Sequence, residues 1–180
     1  MLVILSGSSG VGKNTVINRL MEDDDRLELL TTVTTRAMRE GESQWNPYYF
    51  VSADEFQAMI DRGEMVEYCK IHENYYGTNR KILEEKTALG TILIKDIDVE
   101  GTMALTKALP DVVSIYLTID KETLRERLVG RGETQIDLRL KRYDYEETMR
   151  AHYQHVIYND DLEKTVDTIK GIIEQAQKNG

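Results

Sequence analysis

Apolar residues along the chain alternate between short continuous runs and stretches of helical spacing, the pattern of an α/β domain. Leu2 to Leu5 has the length of a buried parallel strand, and Val16, Ile17, Leu20 and Met21 then share one helical face over Thr15 to Met21. Glu22-Asp23-Asp24-Asp25 reads as a solvated turn. Tyr48 to Val51 reads as a strand, and Ser52-Ala53-Asp54-Glu55 is a capping box before a helix carrying Phe56, Met59 and Ile60 that Gly63 ends. Met65 to Ile71 alternates as a strand bearing Glu67, Tyr75-Tyr76-Gly77-Thr78 makes a tight turn, and a helix follows from about Arg80 to Leu89. Thr91 to Asp98 is an apolar strand ending in two carboxylates, and Val113 to Leu117 is the next. Asp120 caps a helix with Leu124 and Leu128, Val156 to Tyr158 is a last short strand, and Asp160-Asp161-Leu162-Glu163 caps a final helix bearing Leu162, Val166, Ile169 and Ile173.

Between the first strand and first helix stands Gly7-Ser8-Ser9-Gly10-Val11-Gly12-Lys13-Asn14-Thr15. A glycine-rich turn there lets successive N–H groups converge on a phosphate at the helix N-terminus, and Lys13 adds an ammonium for outer phosphates. The spacing matches G-x-x-x-x-G-K-S/T except that Asn14 takes the last place and the hydroxyl comes one residue later, at Thr15. Either the Thr15 hydroxyl or the Asn14 amide oxygen could handle magnesium.

Length and charge narrow the classes. A chain of 180 residues suits one α/β domain with small inserted parts. Its net charge of −9 argues against a general nucleic-acid or anionic-membrane binder. The single cysteine, Cys69, suits a reducing cytoplasm, and His72, His152 and His155 share no metal-ligand spacing. Leu2 to Leu5 is too short for a secretion signal, and a cytoplasmic protein is expected. Within this acidic chain the cations cluster. Arg36 and Arg39 lie in a hydroxyl-rich loop, Arg125, Arg127 and Arg131 come before Gly132, and Arg139, Lys141 and Arg142 follow on a helix. Ligands of open parallel sheets gather at the carboxyl ends of strands, which puts Asp96 and Asp98 near the glycine loop. Lys95, in an otherwise apolar strand, either snorkels outward or belongs to a site.

Taken together these segments resemble the guanylate kinase family over nearly the whole chain. Besides the phosphate loop, the counterparts are Thr32-Val33-Thr34-Thr35-Arg36-Ala37-Met38-Arg39-Glu40-Gly41-Glu42, Tyr48-Tyr49-Phe50-Val51, Tyr76-Gly77-Thr78, Asp96-Ile97-Asp98-Val99-Glu100-Gly101, Arg127-Leu128-Val129-Gly130-Arg131 and Asn159-Asp160-Asp161-Leu162, in family order. The resemblance implies an α/β P-loop kinase with a central parallel sheet flanked by helices. Its core would span about 1–30, 79–125 and 148–180, with a β-rich GMP-binding insertion at about 31–78 and a helical lid at about 126–147. It implies ATP-dependent conversion of GMP to GDP with magnesium as cofactor. By position, Gly7 to Thr15 would bind ATP, Arg36, Arg39, Tyr48 and Tyr76 the GMP phosphate, and Thr32, Glu67, Thr78 and Asp98 the guanine. Lys13, Arg36, Arg127, Arg131 and Arg142 would be the catalytic cations, and Thr15 and Asp96 would hold the metal, directly or through water. GMP or dGMP and ATP are the expected partners, with no nucleic acid or membrane.

The chain departs from the family pattern at Asn14, Thr32, Trp45-Asn46-Pro47, Lys95 and Glu100, where serine or threonine, serine, G-K-D, an apolar residue and glutamine are usual. Two alternatives stay open. A silent interaction module of this family typically loses the loop and lid cations that are intact here. A kinase for another acceptor, such as ribose 1,5-bisphosphate, would lack carboxylates corresponding to Glu67 and Asp98.

Overall fold

The computed structural model describes residues 1–45, 48–71 and 73–179. Asn46, Pro47 and His72 lie outside them.

The first sheet is parallel throughout. It comprises β1 (Leu2–Ser6), β2 (Leu27–Leu29), β7 (Ile92–Asp96), β8 (Val113–Thr118) and β9 (His155–Tyr158), in the order β2-β7-β1-β8-β9. All five residues of β1 and all six of β8 are buried, as central parallel strands covered on both faces must be. Register sets Leu5 beside Asp96, so the end of β7 lies next to the start of the glycine loop.

Helices α1 (Lys13–Asp23), α5 (Lys121–Gly130), α6 (Ile136–Met149) and α7 (Leu162–Asn179) pack on one side around a core that includes Val16, Ile17, Leu20, Leu124, Leu128, Leu140, Val166, Ile169 and Ile173. Each fully buried aliphatic side chain contributes roughly 1.5–3 kcal/mol relative to exposure. Leu2, Ile4 and Leu93 face the other way and meet α3 (Arg80–Ala88) and α4 (Val99–Ala108) through Leu83 and Leu105.

A second, mixed sheet uses residues 32–79. Its strands are β3 (Thr32–Thr34), β4 (Tyr48–Phe50), β5 (Met65–Ile71) and β6 (Asn74–Asn79), in the order β4-β3-β6-β5. Helix α2 (Ala53–Asp61) closes it over a small core of Val33, Phe56 and Met59. Where Met65 and Glu67 pair with Asn79 and Thr78 the register slips, so β5 carries a bulge beside Glu67.

The caps follow the sequence. Ser52 accepts from the Glu55 N–H (3.1 Å), Asp120 from Thr123 (2.8 Å) and Asp161 from Lys164 (3.0 Å). Three expectations are corrected. Tyr75-Tyr76-Gly77-Thr78, expected as a tight turn, lies within β6 and pairs with both β5 and β3. The strand expected over Thr91 to Asp98 ends at Asp96, and Asp98 instead caps α4 by accepting from the Gly101 N–H (2.8 Å). Helix α4 itself was not expected. Its buried face is Val99, Gly101, Thr102 and Leu105, half of which are residues that carry little hydrophobic signal.

The segment expected to form a lid, about 126–147, takes in the second half of α5, the connection 131–135 and most of α6. Leu140 and Tyr143 of α6 reach the main core, where the Tyr143 hydroxyl donates to the Ile119 carbonyl (2.7 Å).

Candidate active site

The glycine loop runs from β1 to α1, and its shape depends on residues that can take positive φ. Gly7 has φ +139°, and a Cβ there would lie 2.2 Å from the Leu117 carbonyl oxygen. Because neither backbone can yield cheaply, Gly7→Ala is expected to destabilise the protein by more than about 2 kcal/mol, read as a lowered midpoint in urea. Gly12, at φ +102°, is the N-cap of α1. No side chain caps this helix and its first turn holds no acidic residue, whereas α2, α4 and α5 are each capped by a side chain. The first-turn N–H groups and the positive helix end are therefore left for an anion.

Above the loop opens a cleft of about 590 Å³. Ser9, Gly10, Gly12, Lys13, Asn14 and Thr15 form its floor, and Arg127, Arg131, Asn159, Asp160 and Leu162 its far wall. Lys13 folds back over its own loop, donating to the Gly7 carbonyl (2.5 Å), and stands 3.9 Å from Asp96. Arg131 donates to the Ser9 hydroxyl (3.0 Å). Arg127 donates to two carbonyls, those of Val11 (3.2 Å) and Asn159 (3.1 Å). Asn159, itself buried, also donates to Val11 (2.7 Å), so these two side chains tie the far wall of the cleft to the loop.

A second cleft, of about 310 Å³, lies across Asp96. Thr32, Tyr48, Glu67, Cys69, Tyr76, Lys95 and Asp98 line it, and Asp96 belongs to both clefts. Glu67 is 6% exposed and accepts from the Thr78 hydroxyl (2.6 Å). Lys95 does not snorkel outward. It is 2% exposed, donates to the Thr32 hydroxyl (2.9 Å) and stands 3.9 Å from Glu67. Burial holds the Lys95 pKa below its ordinary value, against the pull of Glu67, Cys69 and Asp96. Burial, with the nearby Asp98 and Glu67 charges, pushes the Cys69 thiol up to about 11, which keeps it protonated and unreactive. Although 36% of the Asp96 side chain is open, the surrounding protein raises its pKa, with Lys13 and Lys95 pulling it down.

At the mouth of this cleft Glu42 organises the arginine loop. Its carboxylate takes both terminal nitrogens of Arg36 (2.7 and 3.0 Å) and the Arg39 backbone N–H (2.8 Å). Arg36 lies over the rings of Tyr48 (5.2 Å) and Phe50 (5.4 Å), and Tyr48 meets Tyr76 edge-on.

Of the residues singled out from the sequence, Ser9, Gly10, Gly12, Lys13, Asn14, Thr15, Asp96, Arg127 and Arg131 meet in the first cleft, and Thr32, Tyr48, Glu67, Tyr76 and Asp98 in the second. Arg36 and Thr78 adjoin the second through Tyr48 and Glu67. Gly7, Ser8 and Val11 shape the loop from below. Arg39 is exposed and lines neither cleft. Arg142 also lines neither; Glu146 (2.9 Å) and Glu100 share its guanidinium, and Glu146 in turn accepts from Ser8. Its neighbour Arg139 shares Glu133 with Arg131, at 3.1 and 3.9 Å.

Glu42, Asn159 and the Lys95–Thr32 contact were not anticipated. Asn159-Asp160-Asp161-Leu162 was legible as a family counterpart and a helix start but without a role, and its place on the cleft wall depends on β9 lying beside β8.

Comparison with known proteins agrees with this geometry. The family model described as guanylate kinase matches residues 1–176. The guanylate kinase of Listeria innocua is 38% identical over 179 residues, covering 97% of this chain and 87% of that protein. That of Lactiplantibacillus plantarum is 39% identical over 178 residues, covering 96% and 86%. The crystal structure of guanylate kinase from Anaplasma phagocytophilum superposes with a TM-score of 0.77 at 32% identity, covering 98% of this chain and 86% of that one. With two clefts meeting at Asp96 and a family match over nearly its full length, the chain belongs to the guanylate kinase family.

Proposed function

We propose that this protein phosphorylates GMP with ATP, giving GDP and ADP, by direct transfer between nucleotides held in the two clefts. The observation that carries the reading is the continuity of the clefts at Asp96, with an anion-binding loop on one side and a buried, hydroxyl-supported carboxylate on the other. An acceptor phosphate is already an oxyanion, so the protein has to supply position and positive charge and needs no general base. Lys13 and the α1 N-terminus would hold the ATP phosphates, with Arg127 and Arg131 above them. Arg36, Arg39, Tyr48 and Tyr76 would hold the GMP phosphate, and Glu67, Thr78, Thr32 and Asp98 the guanine. Arg142 would join the reacting phosphates only by leaving Glu100 and Glu146, whereas Arg139 is linked through Glu133 to Arg131 on the cleft wall.

Magnesium fits the donor set. Asp96, Thr15 and Asn14 offer hard oxygens in one cleft, and among the described residues no three or more acidic, histidine or cysteine groups are placed to hold a metal ion together. That suits an ion held by one or two protein oxygens together with phosphates and water. When bound it would neutralise charge on the transferring phosphoryl group. Chelation with excess EDTA is expected to reduce turnover to background while GMP binding, followed by calorimetry, persists.

No described helix is long and apolar enough to cross a membrane. With a free cysteine and a dependence on ATP, residence in the cytoplasm is the reading favoured.

The deciding experiment measures ADP release with GMP, dGMP, AMP, UMP and ribose 1,5-bisphosphate offered in turn. Turnover with GMP, and with dGMP if the ribose 2′-hydroxyl goes unread, is expected. Release with ribose 1,5-bisphosphate but not GMP would overturn the assignment, and phosphorylation of none of them would point to an interaction module.

A further inference from the structure

Lys95 is an unusual resident of a base pocket. An ammonium has three donors and no acceptor. Here, at 2% exposure, one donor reaches the Thr32 hydroxyl (2.9 Å), while the nearest carboxylate oxygen, on Glu67, stands at 3.9 Å, beyond hydrogen-bond range. Unsatisfied donors on a buried charge are costly, and the open space they border is the second cleft. The site is built for an acceptor brought by the ligand.

The contact with Thr32 has a second effect. Because Lys95 cannot accept, the Thr32 oxygen must receive from it and turn its own proton elsewhere. Thr32 thereby becomes a donor facing the same cleft. Across the cleft Glu67, one oxygen of which is occupied by Thr78, keeps its other oxygen to accept. The wall therefore presents donor, donor, acceptor. The Glu67 oxygen nearest Lys95, at 3.9 Å, is the one that Thr78 occupies; it is too far to satisfy the ammonium, and the other Glu67 oxygen stays open beside it in the same cleft.

We propose that Lys95 is a specificity-determining residue that donates to the oxygen at position 6 of the purine, directly and through the Thr32 hydroxyl it orients, so that the pocket selects 6-oxopurines. The proposal rests on the GMP kinase reading above. On a 6-oxopurine the acceptor O6 and the donor N1–H are neighbours, and they meet Lys95 with Thr32 and then Glu67. On adenine the 6-amino group would turn donors toward two donors, and N1, carrying no proton, would leave Glu67 unpaired.

The test compares kcat/KM for GMP, IMP and 6-thio-GMP in the native protein, Lys95→Met and Lys95→Gln. Sulfur accepts weakly and leaves N1–H in place, so the GMP to 6-thio-GMP ratio reports recognition of position 6. Lys95→Met is expected to lower kcat/KM for GMP and IMP by about ten- to a hundredfold and to leave 6-thio-GMP within a few-fold, collapsing the ratio. Lys95→Gln, which keeps N–H donors without the charge, should retain most of it. Each ratio is taken within one preparation, so a smaller folded fraction cancels. A ratio unchanged in Lys95→Met overturns the proposal, as does Lys95→Gln behaving like Lys95→Met, because either result would make Lys95 only a counter-charge for Glu67. If the native protein turns over no GMP, the functional reading fails first; if it does and the ratio ignores Lys95, this inference alone fails.

Discussion

Lys13→Ala is expected to lower kcat by at least about 10²- to 10³-fold while GMP affinity changes little. The magnitude is that of removing one preorganised group from the charge developing in a transition state. Lys13 lines the first cleft and is absent from the lining of the second, so its loss should be felt by the donor phosphates alone. It is also prepositioned. The Gly7 carbonyl holds its ammonium 3.9 Å from Asp96, at the junction of the two clefts. Removing the side chain leaves the glycine backbone intact, so the loop should keep its shape and the thermal midpoint should hardly move. Steady-state kinetics with calorimetric titration of GMP separates the effects. A variant with near-native turnover would show that the loop does not serve the transferring phosphate.

Glu67→Gln is expected to cost GMP about ten- to a hundredfold in kcat/KM, from the loss of a charge-assisted hydrogen bond worth roughly 1.5–3 kcal/mol. The surroundings make the amide a poor replacement. Thr78 donates to this side chain and the Lys95 ammonium faces it, so the new N–H₂ group has donors on two sides as well as the guanine donors in front. ATP binding should be untouched, since Glu67 lies outside the first cleft. Arg39→Ala provides the contrast, because loss of the phosphate contact proposed for it would weaken all nucleoside monophosphates alike. Equal losses from Glu67→Gln with GMP and with a monophosphate lacking guanine's donors would make Glu67 a structural carboxylate.

Several features of the molecule were legible from local pattern alone. The glycine loop sits between β1 and α1 as its context requires, and Ser52, Asp120 and Asp161 cap the helices their spacing announced. The cation clusters stood out against an acidic chain. Periodicity, turn chemistry and capping are properties of residues a few positions apart, which is why one dimension suffices to see them.

What stayed hidden involves residues far apart in the chain. Whether Lys95 would point outward or inward could not be decided from its strand; β7 lies between β1 and β2, and its half-buried partner Thr32 is 63 residues away. Arg127 reads as a free cation, yet it grips carbonyls 116 and 32 residues distant. Arg142 reads as a lid cation, yet it sits between Glu100 and Glu146. Helix α4 escaped notice because glycine and threonine fill half of its buried face, where Gly101 has Ile97 packed so close that a Cβ would come within 2.4 Å. The sequence by itself therefore determined most of the elements and several of their caps, and it pointed to a phosphate for the glycine loop. Only the tertiary structure decided which charges are spent on one another and which face a cleft, because sheet order and helix packing choose the partners of a long side chain and the local sequence does not.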